Sequence, residues 1–257
     1  MMKNTVKKIY RSERDIYSLS QKTSSLKTNK RTSYKKVVVN KPWGYEYLMY
    51  ENDKVAVWVL YLKKGYNTSM HCHPKKKTSL IALSGQVLVS FLNEKCELNN
   101  LDAVMIDRGV FHSSETISSD GAMIMEIETP PEKADLVRLT DKYGRENNGY
   151  ENSAFISNEL HKYEYEDFHE IMEEDKAVHK QIKNRHIQIQ RNEKIDDLVF
   201  YVKQCSRSII CFLDSILKKG DSSVIFEIGD IITQSELEDL DVDQLKINNS
   251  FNTLIIH

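Results

Sequence analysis

Between residues 55 and 128 the chain repeats short apolar segments that are separated by turn residues. The segments are rich in Val, Ile, Leu and aromatic residues and recur at the spacing typical of β-sandwiches and β-barrels. No long amphipathic helical pattern interrupts them, which argues against a parallel α/β sheet and favours an all-β fold of antiparallel strands. The segments are residues 55–62, 79–85, 86–92, 103–107 and 121–128, with turn signals such as Ser84-Gly85, Arg108-Gly109 and Asp120-Gly121 between them.

Three histidines in this region are spaced as a shared metal site would require. His71 and His73 form a His-x-His pair, and alternate residues of a strand share one face. His112 follows Gly109, and a tight turn at that glycine would bring it onto the next strand. Three neutral imidazoles with open coordination positions suit Zn, Fe, Ni or Mn in a catalytic site. The pattern therefore predicts one divalent metal ion on His71, His73 and His112, without fixing its identity.

Glycines and histidines recur here in a fixed order: Gly65, His71, His73, Gly85, Gly109 and His112. This order resembles the two motifs of the cupin superfamily. The resemblance implies a double-stranded β-barrel, or jelly roll. Two positions depart from it: Thr78 stands where the superfamily has a glutamate ligand, and Asp107 where it has a proline.

A closer resemblance covers residues 41–145. The segments that carry it are Lys41-Pro42-Trp43-Gly44, Ser69-Met70-His71, Glu126-Ile127-Glu128, Asp135-Leu136-Val137-Arg138 and Asp141-Lys142-Tyr143-Gly144-Arg145. They are similar to the cupin domain of type II mannose-6-phosphate isomerases, which also occurs fused to mannose-1-phosphate guanylyltransferases. The resemblance implies a sugar phosphate or nucleotide sugar as ligand and an isomerase or epimerase in surface-polysaccharide or nucleotide-sugar biosynthesis.

Five basic residues are candidates for binding a phosphate. Lys75, Lys76 and Lys77 follow His73 directly and would place positive charge at the mouth of the barrel. Arg138 and Arg145 belong to the closing motif, and a guanidinium group matches a phosphate bidentately.

Glu126 is the candidate catalytic base. Strand alternation turns it to the same face as Glu128, and a buried carboxyl group near a cation can be tuned for proton transfer. In an isomerase, the metal would polarise the substrate carbonyl while this base moves a proton between adjacent carbons.

Two other functions compete with the isomerase. A three-histidine Fe(II) dioxygenase is favoured by the missing glutamate ligand. A non-catalytic sugar-phosphate-binding protein is the third hypothesis, because a replaced ligand is compatible with binding without turnover.

The charged residues are distributed unevenly between residues 1–36 and the rest of the chain. Residues 1–36 carry 11 basic and 2 acidic residues, and since the whole chain has a net charge of −2, residues 37–257 carry −11. This predicts a basic, disordered leader at 1–36 and no nucleic-acid partner for the chain. Neither a signal peptide nor a membrane-spanning run is present, and four scattered cysteines fit a reducing compartment, so we expect a cytoplasmic protein and a possible homodimer.

The predicted domains are the leader at 1–36, the metal-binding cupin at 37–150, a helical linker at 151–185 and a β-rich C-terminal domain at 186–257. Apolar residues at helical spacing indicate the linker. The C-terminal strands are predicted at 186–190, 197–202, 208–213, 224–233 and 252–257. No histidine lies between 187 and 256, so this domain could be a degenerate cupin, and we favour a role in packing or dimerisation.

Overall fold

The computed structural model describes residues 4–22, 33–145, 155–172, 175–205, 207–218, 223–247 and 250–257. β-Strands dominate this part of the chain and form two successive groups of packed sheets. Among these residues, no helix has both the length and the apolar character needed to cross a lipid bilayer.

The first group of sheets is a barrel, whose described strands all precede residue 158. In chain order its elements are β1 (Val6–Ile9), α1 (Glu13–Ser20), β2 (Val38–Lys41), β3 (Gly44–Glu51), β4 (Ala56–Leu62), β5 (Met70–Cys72), β6 (Lys77–Ser84), β7 (Val87–Phe91), β8 (Lys95–Leu98), β9 (Ala103–Ile106), β10 (His112–Thr116), β11 (Ala122–Thr129), β12 (Val137–Thr140) and β13 (Ile156–Ser157). One sheet has the order β1-β9-β6-β11-β4-β3-β2-β13, and the facing sheet has the order β12-β5-β10-β7-β8. This is the double-stranded β-barrel of the cupin class, so the predicted all-β fold is confirmed.

The larger sheet of the barrel is apolar on both faces. On β4, Trp58 and Leu60 point into the barrel, whereas Val57 and Val59 belong to a second apolar layer on the other face. That layer includes Ile189 of the C-terminal region. Because both faces of β4 are covered, its sequence is an uninterrupted apolar run rather than an alternating one.

The prediction of a disordered leader at 1–36 is wrong for residues 4–22. There, β1 pairs in parallel with β9, and Ile9 is buried in the barrel core. Helix α1 begins with a capping box between Ser12 and Asp15. β1 is only four residues long and is held by pairing with one edge strand, β9. Because polar residues flank it, the composition of the leader gave no indication of a strand. The rest of the leader up to residue 32 lies outside the described residues.

The predicted helical linker at 151–185 is also wrong for the described residues of that range. They form β13, a 3₁₀ turn at Leu160–Lys162, a segment without regular secondary structure and then a strand at Ala177–Ile182, with no α-helix. Tyr163 and Tyr165 pack against two tyrosines of β3, with ring centroids 4.9 and 4.6 Å apart. The apolar side chains of this segment are therefore buried by packing on a sheet rather than along one face of a helix.

The second group of sheets begins near residue 177. Its elements are β14 (Ala177–Ile182), β15 (Arg185–Asn192), α2 (Ile195–Val202), β16 (Ile209–Phe212), β17 (Ile216–Lys218), β18 (Val224–Phe226), β19 (Ile231–Thr233), α3 (Gln234–Glu238), β20 (Leu245–Lys246) and β21 (Phe251–Ile256). The predicted β-rich C-terminal region is thereby confirmed.

The C-terminal sheets repeat the strand order of the barrel. The order β14-β15-β21-β16-β19 corresponds to β3-β4-β11-β6-β9, and β18-β17-β20 corresponds to β8-β7-β10. Between β15 and β16 the described residues form α2, where the barrel has β5, the strand of the His-x-His pair. This order fits a degenerate second barrel that lacks the strand needed for the metal motif.

Residues 197–202, predicted to be a strand, form most of α2. Ile195, Leu198 and Val202 recur at three- and four-residue spacing and are buried together in the C-terminal core. The six apolar-rich residues alone did not distinguish a helix from a buried strand.

Candidate metal centre

The structure brings the three predicted histidines together at one end of the smaller sheet. His71 lies on β5, His73 follows it directly, and His112 begins β10, where it is paired with His71. The imidazole centroids are 4.5 to 5.5 Å apart. The ligand atoms of the three side chains all lie within 4.8 Å of one another.

Backbone carbonyls fix the tautomer of each imidazole. The Nδ1 atom of His71 is 2.8 Å from the Ser69 carbonyl oxygen, and that of His73 is 2.6 Å from the Asp135 carbonyl oxygen. The Nδ1 atom of His112 is likewise 3.0 Å from the carbonyl oxygen of Val110. A carbonyl can only accept, so each Nδ1 carries the proton and each Nε2 keeps its lone pair.

The histidines are neutral and two of their Nε2 atoms are otherwise unused. Burial lowers the pKa of His71 and of His73 well below the usual value, and it lowers that of His112 to about 4. Within the described part of the chain, Nε2 of His73 and Nε2 of His112 are buried without a hydrogen-bond partner. A buried acceptor without a partner is costly, and a metal ion would use these lone pairs. The three residues thus fit a divalent metal.

A carboxylate from a neighbouring strand lies near the position of the missing glutamate. Thr78 on β6 is paired with Glu128 on β11, and Glu126 is two residues away on the same inward face. The Glu126 Oε1 atom is 4.0 Å from His73 Nε2. Burial, and secondarily the charge of Glu128, raises the pKa of Glu126 to about 7.

A second set of possible metal ligands shares one histidine with the first. Ligand atoms of His73, Glu126 and Glu128 also lie within 4.8 Å of one another. However, Glu128 Oε1 is 2.6 Å from the Lys76 ammonium and 3.8 Å from that of Lys133. A cation at Glu128 would be repelled by these ammonium groups, so the three histidines are the better metal site.

Of the three predicted phosphate-binding lysines, only Lys76 faces this site. Its side chain is fully buried and its Nζ donates to Glu128. It lines the central pocket, the cavity around the three histidines and Glu126.

Lys75 and Lys77 point elsewhere, so their predicted placement at the pocket is wrong. Lys75 is exposed, and its Nζ is 3.5 Å from Glu132. Lys77 reaches the C-terminal region, where its Nζ lies 2.7 Å from Glu227 and 3.0 Å from Asp230. Lys75 lies in a bend before β6, and Lys77 is the first residue of β6, so their side chains leave the chain in other directions than that of Lys76.

Both predicted arginines line the central pocket. Arg138 is buried on β12 opposite His71. Arg145 pairs with Asp141 at 2.7 Å and lowers the pKa of that carboxyl group although burial opposes the shift. The cavity between these side chains has a volume of about 60 Å³.

Sequence reasoning missed a buried charge cluster in the same pocket. Lys133 Nζ is 3.0 Å from Glu46 and lies 3.5 Å from the centroid of the Trp58 ring, and Lys41 is 3.5 Å from Glu46. Although burial opposes it, the carboxylates of Glu128 and Glu46 raise the pKa of Lys133. Lys41 lies in the opening motif, which was a usable signal, whereas Lys133 sits in a charged stretch that is typical of a surface loop.

Parts of several solved structures are similar to parts of this chain. No protein-family profile matches the chain, and no curated protein matches it. An uncharacterised Klebsiella pneumoniae protein with a double-stranded β-helix domain matches with a TM-score of 0.35 and 15% identity, over 47% of this chain and 99% of its own. The Staphylococcus aureus capsular polysaccharide assembling protein CapF matches with a TM-score of 0.36 and 21% identity, over 40% and 34%. KdgF from Halomonas sp. matches with a TM-score of 0.34 and 14% identity, over 36% and 84%.

Proposed function

We propose that this chain is a metal-dependent cupin that isomerises or epimerises a phosphorylated or nucleotide-linked sugar. The observation that carries the proposal is the pair of buried Nε2 atoms on His73 and His112, which face a pocket that also contains Glu126. A divalent ion held by the three histidines would supply Lewis-acid polarisation of a substrate carbonyl.

The charge of the pocket favours an anionic ligand. Among the described residues that line it, five side chains are cationic and three are acidic: Lys41, Lys76, Lys133, Arg138 and Arg145 against Glu46, Glu126 and Glu128. A bound divalent ion would add to the positive excess. Arginine and lysine groups are the usual partners of phosphate oxygens.

Glu126 has the properties of a base for proton transfer. Without a bound ion, burial raises the pKa of Glu126 to about 7. A divalent ion on the histidines would favour the ionised carboxylate, the form that takes up a proton from the substrate. Its distance of 4.0 Å from His73 Nε2 places it beside the metal ligands.

The test combines metal content with proton exchange. The wild-type protein and His71→Ala, His73→Ala and His112→Ala variants are analysed for bound metal. The loaded wild type is then incubated in D₂O with a panel of aldose phosphates and nucleotide sugars, and deuterium incorporation beside the carbonyl carbon is measured. We expect the wild type to bind metal and the three histidine variants to lose it. We also expect exchange with at least one sugar, and in Glu126→Gln a loss of exchange with the metal retained.

Two outcomes would contradict the proposal. Absence of bound metal after exposure to Zn, Fe, Ni and Mn would exclude a metal enzyme at this site. Bound metal with sugar-phosphate affinity but no exchange would indicate a binding protein.

A three-histidine Fe(II) dioxygenase is the second candidate. It is favoured by the ligand set, because Thr78 offers no carboxylate from β6. Oxygen consumption by the iron-loaded protein with a thiol or diketone would support it, and oxygen uptake would be absent if the isomerase proposal holds.

A further inference from the structure

A single peptide group connects the N-terminal segment to the metal centre. His112 Nδ1 donates to the carbonyl oxygen of Val110 at 3.0 Å. The amide nitrogen of Phe111 belongs to the same peptide group and donates to Asp15 Oδ1 at 2.9 Å. A carboxylate of α1 is therefore linked to a metal-ligand candidate through one amide.

The Asp15 carboxylate is held in place on its other side. The residue is 3% exposed, and its Oδ2 atom accepts hydrogen bonds from Ser12 N at 2.9 Å and Ser12 Oγ at 2.5 Å. The Oδ1 atom is thereby directed toward Phe111 rather than toward solvent.

The turn that carries this peptide is fixed from two directions. On one side, β1 runs along β9 to its end, and Asp107 N donates to the Ile9 carbonyl oxygen at 3.0 Å. On the other side, Gly109 N donates to the His73 carbonyl oxygen at 2.8 Å. The N-terminal segment and the first histidine pair therefore determine together where β10 begins, and β10 begins with His112.

A carboxylate that accepts from a peptide N–H polarises that peptide and strengthens its carbonyl as an acceptor. A stronger acceptor at Val110 holds the Nδ1–H of His112 more firmly and increases the electron density at Nε2. Direct carboxylate–histidine contacts have this effect on metal-bound histidines. We infer that Asp15 is a positioning residue of the metal centre, which acts on His112 through the 110–111 peptide. The inference rests on the metal site of the proposed function.

The test measures zinc affinity of the full-length chain by competition with a chromophoric chelator. Loss of an outer carboxylate commonly weakens metal binding about 10- to 100-fold, and an effect passed through a peptide belongs at the lower end. We expect Asp15→Ala to raise the zinc Kd about tenfold. Asp15→Asn, which keeps an oxygen acceptor without the charge, should raise it less.

Glu13→Ala is the matched control within α1. Glu13 is an exposed carboxylate in the same first helical turn as Asp15, so its replacement removes an equal charge and keeps the Asp15–Phe111 hydrogen bond, and its zinc Kd should stay within about twofold of wild type. The imidazole ¹⁵N shifts of His112 in the zinc-free protein provide a second readout. Asp15→Ala should move the Nδ1 resonance, whereas Glu13→Ala should not.

Each result decides one question. If the wild type binds none of Zn, Fe, Ni and Mn, the metal-site proposal itself fails. If the wild type binds zinc and Asp15→Ala binds it equally well, the metal site stands and the role of Asp15 is refuted. Equal losses in Asp15→Ala and Glu13→Ala would also overturn the inference, because the loss of negative charge from the first turn of α1 would then explain them. Circular dichroism of each variant verifies the fold, and Asp15→Asn provides the comparison if Asp15→Ala unfolds.

Discussion

Lys133 is a largely buried cation held between carboxylates, with its side chain 16% exposed. Its Nζ is 3.0 Å from Glu46 and 3.8 Å from Glu128, and it packs over Trp58. Removing one partner of a buried ion pair leaves an uncompensated charge, which costs about 3 to 5 kcal/mol. We therefore expect Lys133→Met to lower the free energy of unfolding by about 3 kcal/mol, measured by urea denaturation at neutral pH.

Lys75→Met is the control, because the ion pair of Lys75 with Glu132 is exposed to solvent. Its expected loss is below about 0.5 kcal/mol. The loss in Lys133→Met should shrink on acidification, since carboxylates left without the cation have raised pKa values and take up protons in the folded state. Similar losses in the two variants would show that Lys133 is not desolvated as the structure indicates.

At the residue scale, the metal-ligand candidates were predictable and their surroundings were not. The His-x-His pair and the glycine turn before His112 are local patterns with a fixed geometric meaning. Lys133 and Glu46 meet only through the fold, because they lie far apart in sequence, on either side of the histidine motifs. Charge alone suggested Lys77 as a phosphate ligand, whereas the direction of its side chain depends on where β6 begins.

At the scale of elements, the segment after the 3₁₀ turn is held by Phe168. This residue is 2% exposed, and its amide nitrogen donates to the Met49 carbonyl oxygen at 2.8 Å. Truncation of a buried phenylalanine costs about 3 to 5 kcal/mol. Phe168→Ala should therefore lower the free energy of unfolding by about 3 kcal/mol in chemical denaturation.

Phe155→Ala is the matched control in the same region, because Phe155 is 46% exposed. Its expected loss is below about 1 kcal/mol. If both variants lose the same amount, the segment does not dock on the sheet through Phe168.

Five barrel strands, β4, β6, β7, β9 and β11, were predictable because each is a continuous or alternating apolar run bounded by a turn residue. Shorter or ambiguous segments were not. β1 has four residues and gains its stability from pairing with β9, which no local pattern reveals. The α2 sequence has a helical period in Ile195, Leu198 and Val202, but its last six residues alone also satisfy a buried strand.

At the scale of the whole molecule, the C-terminal region packs on the outer face of the large barrel sheet. Arg185 Nε donates to the Leu83 carbonyl oxygen at 3.0 Å, and Ser79 Oγ donates to the Gly229 carbonyl oxygen at 3.2 Å. An apolar layer from both groups of sheets fills the space between them. Lys77 contributes to this interface, which explains why it does not face the metal centre.

Gly229 lies where the two groups of sheets approach each other closely. Its φ is +84°, and a Cβ atom added there would lie 2.6 Å from Thr129 Oγ1 at the end of β11. Gly65 has a similar φ of +81°, but a Cβ atom added there would meet no other atom within 4 Å. Both Gly→Ala substitutions carry the backbone strain of the left-handed region, about 1 to 2 kcal/mol, but only Gly229→Ala adds a steric clash.

We expect Gly229→Ala to lower the free energy of unfolding by at least about 1 kcal/mol more than Gly65→Ala, since overpacking costs about 1 to 3 kcal/mol. The double variant Gly229→Ala/Thr129→Ala should recover about that difference, because the clashing oxygen is gone. Recovery would show that the clash at Thr129 causes the loss, and hence that the turn at Gly229 is seated against β11. Equal losses in Gly229→Ala and Gly65→Ala, with no coupling to Thr129, would mean that the C-terminal sheets are held more loosely against the barrel than these contacts imply.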